Sequence, residues 1–410
     1  MSVTKLSFRA KLMLMLLPAL LGLLFYSVNV LLEKYSTMNN MAELKILIDL
    51  TNKTSAVIHE YQTERGLTAG FLSSKGEKFS AELKAQRQIT DKALAEFKAF
   101  LEQASGTVAA SGMNAVVKAA DAELAKLAQA RESISTLRFT PKESYVYYTG
   151  TISLLIEIVQ HTVFASNNSE ILMQTTAFMH FLEGKEMTGR ARATLNPIFA
   201  ANQFDRENYP RLLAILTEQN MHFRAFQDYG AEEMKRLYQD VEKSSIASEV
   251  DAMQKIALDK AVEGNFGVDP AKWLGTITQK LNLLKAAEDK MSVYLDEHAT
   301  EHAEEARNAL LLYLAITLIA LLVASLAGIL IARDLLRQLG GEPAYAAEVM
   351  ARIANGDLTV QVQTRDSDTG SMLFATKGMV EKLSGIIGEV RSSADALSSA
   401  SEEVSATAQS

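Results

Sequence analysis

The sequence predicts an all-α protein, because three features of the chain favour helices. Only 6 prolines and 1 tryptophan occur among 410 residues, which argues against a turn-rich β architecture. Apolar residues recur at every third or fourth position over most of the chain, as they do on one face of a helix. Two further stretches are apolar throughout and about 20 residues long, the length of a helix that crosses a bilayer.

These two stretches, residues 12–32 and 309–332, are predicted transmembrane helices. The first is longer than the apolar part of a cleavable signal peptide, so we expect an uncleaved span. The basic residues lie just outside the two stretches, at Lys5, Arg9, Lys11, Arg333 and Arg337. Because positive flanks face the cytoplasm, residues 1–11 are expected to be cytoplasmic, in a multi-pass protein of the cytoplasmic (inner) membrane. Residues 33–308 then form an extracytoplasmic sensor domain, in the periplasm or outside.

Helix signals recur through residues 33–308. Thr140, Pro141 and Glu143 form a capping box with proline at the first helical position. Asp269 and Pro270 repeat the combination of N-cap and proline. Periodic apolar patterns predict helices over residues 77–102, 113–137, 141–164 and 271–296. We therefore expect one or two four-helix bundles.

Arg65 and Arg192 each lie in an apolar stripe of a predicted helix, within two segments that form a weak internal repeat. A buried arginine is costly unless an anion meets it. Carboxylates at expected neighbouring positions could do so: Glu60, Glu64, Asp91, Glu157 and Glu186. A small planar anion held between the two guanidinium groups is the alternative, since arginine offers two parallel donors.

Residues 64–70, with 75–76 and 86–91, resemble the first motif of the nitrate- and nitrite-sensing (NIT) family, and residues 192–200 resemble its second motif. The resemblance covers residues 50–295. It implies paired helical bundles that bind nitrate or nitrite through arginines. The ligand set implied here is Arg65, Arg192, Thr68, Arg190 and Lys280. Two positions depart from the family pattern, because Ala191 replaces a usual glutamate and Lys280 stands where an arginine is common.

Residues 333–388 resemble a HAMP module, with Pro343 and the Gly356-Asp357-Leu358 turn as its clearest marks. A heptad seam from Leu373 to Val404 requires partner helices, which predicts a homodimer. Residues 389–410 resemble the start of a methyl-accepting signalling helix, so we expect further signalling residues beyond Ser410.

Composition excludes several classes of function. The absence of cysteine rules out disulfides, thiolate metal sites and a cysteine nucleophile. A net charge of −8 provides no general cationic surface for phosphates, so no nucleic-acid partner is expected. No phosphate-binding glycine loop occurs, and His298 and His302 lie in a charged stretch. We expect no enzyme, no catalytic residue, no cofactor and no metal.

These features together predict a transmembrane chemoreceptor. It would bind nitrate or nitrite outside the membrane and signal through the HAMP module to a chemotaxis kinase and its coupling protein. The alternative is a NIT-type sensor fused to a histidine kinase or to a cyclic-dinucleotide enzyme.

Overall fold

The computed structural model describes residues 8–164 and 169–408, and all regular secondary structure in these ranges is helical. The predicted all-α class is therefore confirmed. Lys5 and residues 409 and 410, which entered the predictions above, lie outside the described residues. The helices are α1 (Phe8–Ser73), α2 (Ser80–Gln103), α3 (Ser105–Ala110), α4 (Asn114–Leu124), α5 (Leu127–Ser135), α6 (Pro141–Phe164), α7 (Ser169–Ala201), α8 (Asn208–Tyr229), α9 (Glu232–Glu242), α10 (Ser245–Asp259), α11 (Pro270–Leu339), α12 (Pro343–Ala354) and α13 (Met372–Ala408).

Local capping explains where several helices begin. The Thr140 backbone N–H donates to Glu143 Oε2 at 2.8 Å, and the Glu143 N–H donates to Thr140 Oγ1 at 3.2 Å. This reciprocal pair is the predicted capping box at the start of α6. At the start of α11, the Ala271 N–H donates to the carboxylate of Asp269 at 3.0 Å.

The predicted helix over residues 113–137 is instead two helices, α4 and α5. Ala125 and Lys126 form helices readily, so local propensity gives no sign of the break. The backbone tightens there, because the Lys126 N–H donates to the Glu123 carbonyl, three residues back, at 3.1 Å. Leu124 and Leu127 are both buried on either side of this turn. Both side chains belong to one apolar core on either side of the turn.

Residues Tyr35–Asn308 form one compact unit. One apolar core joins α1 to α2, α4, α5 and α6, with Tyr61, Phe97 and Tyr148 fully buried. Two further cores, around Phe181 and Trp273, are built mainly from α7, α8 and α11, with α9 in the first and α10 in the second. Helix α1 contributes to cores of both kinds, so it runs between the two groups of helices.

The other compact unit comprises the segments before Tyr35 and after Asn308. Parts of α1 and α11 in this unit are long and apolar enough to cross a membrane, judged by length and composition. Helices α12 and α13 pack through a small core that includes Val349, Val360 and Leu373. The apolar residues of the predicted heptad seam after Val380 are exposed in this chain, at Leu383, Ile387, Val390, Leu397 and Val404.

Candidate functional site

Arg65 on α1 is paired with a carboxylate on α7. Its Nη1 donates to Glu186 Oε1 at 2.7 Å, and its Nη2 donates to Glu186 Oε2 at 3.0 Å. Arg65 is 3% exposed and Glu186 is 0% exposed. Burial alone would lower the pKa of Arg65, but the Glu186 charge outweighs it and raises that pKa. For Arg65, the structure therefore shows the carboxylate alternative.

Glu186 is shared by several donors. Arg190, one turn further along α7, donates from Nε to Glu186 Oε1 at 2.9 Å. Gln62 of α1 donates to Glu186 Oε2, also at 2.9 Å. Burial raises the pKa of Glu186, but the Arg65 and Arg190 charges lower it overall, so the carboxylate is ionised. Two guanidinium groups on one carboxylate leave a local excess of positive charge.

Arg192 adds a third guanidinium to this region without adding an anion. Its Nη1 lies 3.3 Å from Thr278 Oγ1 of α11, and its Nη2 lies 3.5 Å from the Gln62 carbonyl oxygen. Both distances are long for hydrogen bonds. Among the residues that the structure describes, no carboxylate forms an ion pair with Arg192. Burial and the charge of Arg65 lower the pKa of Arg192 to about 10.

Two glycines let the arginines approach the opposite helix. A Cβ atom added to Gly66 of α1 would lie 2.6 Å from Arg192 Nη2. A Cβ atom added to Gly189 of α7 would lie 3.0 Å from Arg65 Nη2. Each arginine therefore lies over a glycine of the partner helix, and the two guanidinium groups are held close together between α1 and α7.

The lowered pKa of His59 reflects the same excess of positive charge. Burial, together with the charges of Lys185, Lys285 and Arg192, lowers the pKa of His59 to about 2. The imidazole is therefore neutral at ordinary pH. Lys185 is itself buried and paired with Glu288, so its charge is compensated while that of Arg192 is not.

The structure places the other predicted ligands in different surroundings. Thr68 is 0% exposed, one turn after Arg65, and its hydroxyl makes no hydrogen bond of normal geometry among the described residues. Lys280 lies 3.1 Å from Glu242 and 3.4 Å from Asp251, on α9 and α10. Thr278, two residues earlier on α11, is the residue that contacts Arg192. The site therefore brings Arg65, Arg190 and Arg192 together, and it leaves Lys280 with carboxylates of its own.

A second buried charge network was not predicted. Glu64 is 0% exposed and accepts from Arg131 Nε and Nη2, each at 2.8 Å, and from the Tyr148 hydroxyl at 2.8 Å. Arg131 also donates to Asp91 at 2.5 Å. The sequence contains a signal for it, because Arg131 follows Leu127 by four residues on the buried stripe of α5. This network joins α1, α2, α5 and α6 and compensates its own charges.

A surface groove along α11 is unsuited to an anion. Its lining includes Asp296, Glu297, Glu301, Glu304 and Glu305. These carboxylates would repel a negative ligand. The arginine cluster is therefore the better candidate for an anion site.

Comparison with known proteins supports a sensory domain. Residues 56–295 match the family described as nitrate and nitrite sensing, NIT. The nitrate regulatory protein of Klebsiella oxytoca is 26% identical over 246 residues, which are 60% of this chain and 61% of that protein. The chain thus spans about three fifths of the length of this curated relative. The solved structure of the NasR transcription antiterminator is 20% identical, with a TM-score of 0.60, and covers 88% of this chain and 98% of its own.

The family match confirms the resemblance to the NIT family. It also confirms that residues 56–295 are a sensor and not an enzyme. At 20% identity, the solved structure supports the fold alone.

The predicted chemoreceptor function is wrong. The relatives found are a nitrate regulatory protein and a transcription antiterminator; neither is named a chemoreceptor, a histidine kinase or a cyclic-dinucleotide enzyme. That prediction depended on helical patterns in residues 333–410. A heptad seam specifies that helices pair, but it does not specify the output that the paired helices control.

The predicted location and partners are corrected by the same relatives. They are named as a nitrate regulatory protein and a transcription antiterminator, which contradicts the predicted multi-pass inner-membrane receptor with HAMP and methyl-accepting parts. Apolar length alone also occurs in helices with other roles. The predicted chemotaxis kinase and the exclusion of nucleic acid are contradicted by the two relatives together, a nitrate regulatory protein and a transcription antiterminator. A net charge of −8 is a sum over the chain and does not exclude a local basic surface.

Proposed function

We propose that this chain, which belongs to the nitrate and nitrite sensing family, is a regulatory protein whose NIT domain binds nitrate or nitrite at Arg192. The word regulatory is carried over from the relative of Klebsiella oxytoca. Arg65 is the second arginine of the proposed site, and Thr68, Arg190 and Lys280 stay predictions.

The observation that carries this proposal is the unpaired charge of Arg192. The fully buried cations of the described chain have carboxylates: Arg65 has Glu186, Lys185 has Glu288 and Lys280 has Glu242. Arg192 has only two long contacts to neutral oxygen atoms. Arg192 is partly buried, and a charge that is partly removed from water without a carboxylate of its own would be stabilised by a bound anion.

Nitrate and nitrite fit the chemistry of this position. Both are small planar anions, and a guanidinium group can donate two parallel hydrogen bonds to two oxygen atoms in one plane. Because Glu186 already engages Arg65 through both of its terminal nitrogens, Arg192 is the main donor and Arg65 supplies mostly positive charge. An anion there would also relieve the repulsion between the two guanidinium groups.

Anion binding would favour close packing of three helices. Arg65 lies on α1, Arg192 on α7 and Thr278 on α11, so a bound anion stabilises the arrangement in which the three helices meet. A ligand shifts a conformational equilibrium only through its different affinities for the two states, typically by about 1–3 kcal/mol. The proposed sensory event is this change in helix packing.

Titration calorimetry on the full chain tests the proposal. Nitrate, nitrite, chloride and sulfate are titrated into the native protein, Arg192→Ala and Arg65→Ala, with the exposed Arg206→Ala as control. We expect nitrate or nitrite to bind the native chain and the control equally. Arg192→Ala should weaken binding by about 100-fold, equivalent to about 3 kcal/mol for hydrogen bonds to a charged group. Unchanged nitrate and nitrite affinity in Arg192→Ala would refute the site.

A further inference from the structure

Two histidines and a glutamate converge between α7 and α8, away from the arginine cluster. His180 and Glu183 lie one turn apart on α7, and His222 lies on α8. The Nδ1 atoms of the two histidines are 3.1 Å apart. Glu183 Oε2 is 3.3 Å from His180 Nδ1 and 2.7 Å from His222 Nδ1. Three potential ligand atoms therefore form one small triangle.

The three ligand atoms have the spacing of one face of a metal tetrahedron. With metal–ligand bonds of about 2.0–2.1 Å, the ligands of a tetrahedral zinc ion lie about 3.3 Å apart. The two distances that involve His180 Nδ1, 3.1 and 3.3 Å, are close to this value. The distance from His222 to Glu183 needs to open by about half an ångström, which side-chain rotation can supply.

The surroundings orient these side chains. Gln160 of α6 donates from Nε2 to Glu183 Oε1 at 2.7 Å, which leaves Oε2 directed at the histidines. The ring of Tyr229 stacks on His180 with centroids 6.3 Å apart. Hydrogen bonds from neighbouring residues commonly fix the orientation of metal ligands. The ligand atoms also remain reachable, because all three side chains are only partly buried.

We propose that His180, Glu183 and His222 bind one divalent first-row transition-metal ion, such as Zn²⁺, between α7 and α8. Imidazole nitrogen with one carboxylate oxygen suits Zn²⁺, Co²⁺ or Ni²⁺, whereas Mg²⁺ and Ca²⁺ prefer sites made of oxygen ligands. Three protein ligands leave the fourth position of a tetrahedron to water. The ion would link α7 to α8 two residues before Lys185 and three before Glu186, on the helix that carries Arg192.

The proposed metal site shares no residue with the proposed anion site, so either proposal can fail without the other. The alternative occupant of the triangle is a proton, shared by the two Nδ1 atoms and the carboxylate in a hydrogen-bonded trio. That alternative predicts no tight metal binding, and the experiment below separates the two.

Calorimetry and Co²⁺ spectroscopy on the EDTA-treated full chain test the metal proposal. We expect one Zn²⁺ per chain, and Co²⁺ should give the intense visible absorption of a tetrahedral site. His222→Ala and Glu183→Gln should each weaken Zn²⁺ binding at least about tenfold and change the tetrahedral Co²⁺ spectrum, because the first removes a ligand nitrogen and the second replaces a charged carboxylate ligand with a neutral amide. Mg²⁺ should not compete.

The matched control is the double variant His298→Ala with His302→Ala. These histidines lie four residues apart on α11, where His298 Nδ1 contacts the Tyr294 carbonyl oxygen and His302 lies near Glu305. This variant should keep full Zn²⁺ affinity. Far-ultraviolet circular dichroism of each metal-free variant checks the fold, and Glu183→Gln keeps the shape of the side chain. Zn²⁺ binding lost in the control, or retained in both His222→Ala and Glu183→Gln, would overturn the proposal.

Discussion

Arg65 and Arg192 carry the same side chain on neighbouring helices, but they meet different partners. Arg65 has a bidentate bond to Glu186, whereas Arg192 has two long contacts to neutral oxygens. The first arginine compensates a buried carboxylate, and the second has no carboxylate of its own within ion-pair distance. Their substitutions should therefore change protein stability in opposite directions.

We predict that Arg65→Met destabilises the anion-free protein, while Arg192→Met stabilises it. Methionine keeps much of the side-chain volume. Removing Arg65 takes a strong partner from Glu186, which should lower the free energy of unfolding by about 3 kcal/mol. Removing Arg192 relieves an unpaired charge and should raise that free energy by about 1 kcal/mol. Urea unfolding in a nitrate-free buffer measures both; equal destabilisation would show that Arg192 is compensated by the protein itself.

The pH dependence of nitrate affinity should follow Arg192. Its pKa, about 10, is depressed from the ordinary value of 12.5, so the group is charged below about pH 9 and loses its proton above pH 10. Nitrate binding requires the charged form of Arg192. Affinity should thus be flat at neutral pH and fall toward about tenfold per unit above pH 10.

Calorimetry over a pH series measures this profile, and buffers of different ionisation heat should reveal proton uptake on binding near pH 10. His59, with a pKa of about 2, stays neutral and should add no step between about pH 5 and pH 8. Affinity lost within that range would instead implicate a histidine in the site.

The sequence predicts two inward-facing arginines, and Arg65 is buried while Arg192 is partly buried, but the sequence cannot assign their partners. Stripe positions identify Arg65 and Arg192 as facing inward, and Glu186 was among the candidate carboxylates. Which arginine pairs with Glu186 depends on how α1 packs against α7. This packing is part of the tertiary structure and cannot be read from either helix alone. Lys280 illustrates the same limit, because its carboxylates come from α9 and α10.

At the scale of the helix, Gly66 is the position where α1 leaves room for Arg192. We predict that Gly66→Ala weakens nitrate binding by at least about tenfold, because the new Cβ atom would lie 2.6 Å from Arg192 Nη2 and displace the guanidinium. The same substitution favours the helix by up to about 1 kcal/mol. Lost affinity should therefore not be accompanied by gross unfolding.

The control for this variant is Gly275→Ala on α11, where an added Cβ atom meets nothing within 4 Å. It should gain helix stability and leave nitrate affinity unchanged. Thermal unfolding with and without nitrate measures both variants. If Gly66→Ala binds nitrate as tightly as Gly275→Ala does, the guanidinium is not held where the proposed site requires it.

Helix ends can be predicted from the sequence where capping residues define them, but the break between α4 and α5 cannot. The capping box at Thr140 and the N-cap at Asp269 involve side chains close in sequence, so a short motif suffices. The turn at Ala125 and Lys126 contains no helix-breaking residue. Leu124 and Leu127, on either side of it, are buried in a core shared with helices distant in sequence.

For the whole molecule, α1 and α11 are the two helices that extend from the proposed site beyond residues 35–308, and α11 is the candidate for transmitting the change in packing. It carries Thr278 beside Arg192 and continues without interruption to Leu339. We predict that nitrate changes amide hydrogen exchange in the last turns of α11, and that a Gly-Gly-Gly insertion at Ala303 removes this distant change. Nitrate affinity should persist, because Ala303 lies far along the helix from Thr278. A distant change that survives the insertion would exclude transmission along α11.

The domain and the whole-chain function were predictable to different degrees. Buried arginines and short motifs led to a sensory NIT domain, which the family match confirms. The chemoreceptor function depended on apolar length and heptads outside residues 56–295, and the relatives contradict it. Periodicity constrains helix formation and pairing, while function depends on the groups placed at a site.

A crystal structure of the full chain grown with nitrate would show whether Arg192 binds the anion. We expect a planar anion within about 2.7–3.0 Å of the Arg192 guanidinium nitrogens, with Arg65 still bonded to Glu186. A matched crystal grown with chloride should lack the planar density. Nitrate bound only at another place, with Arg192 paired to a carboxylate of the chain, would contradict it.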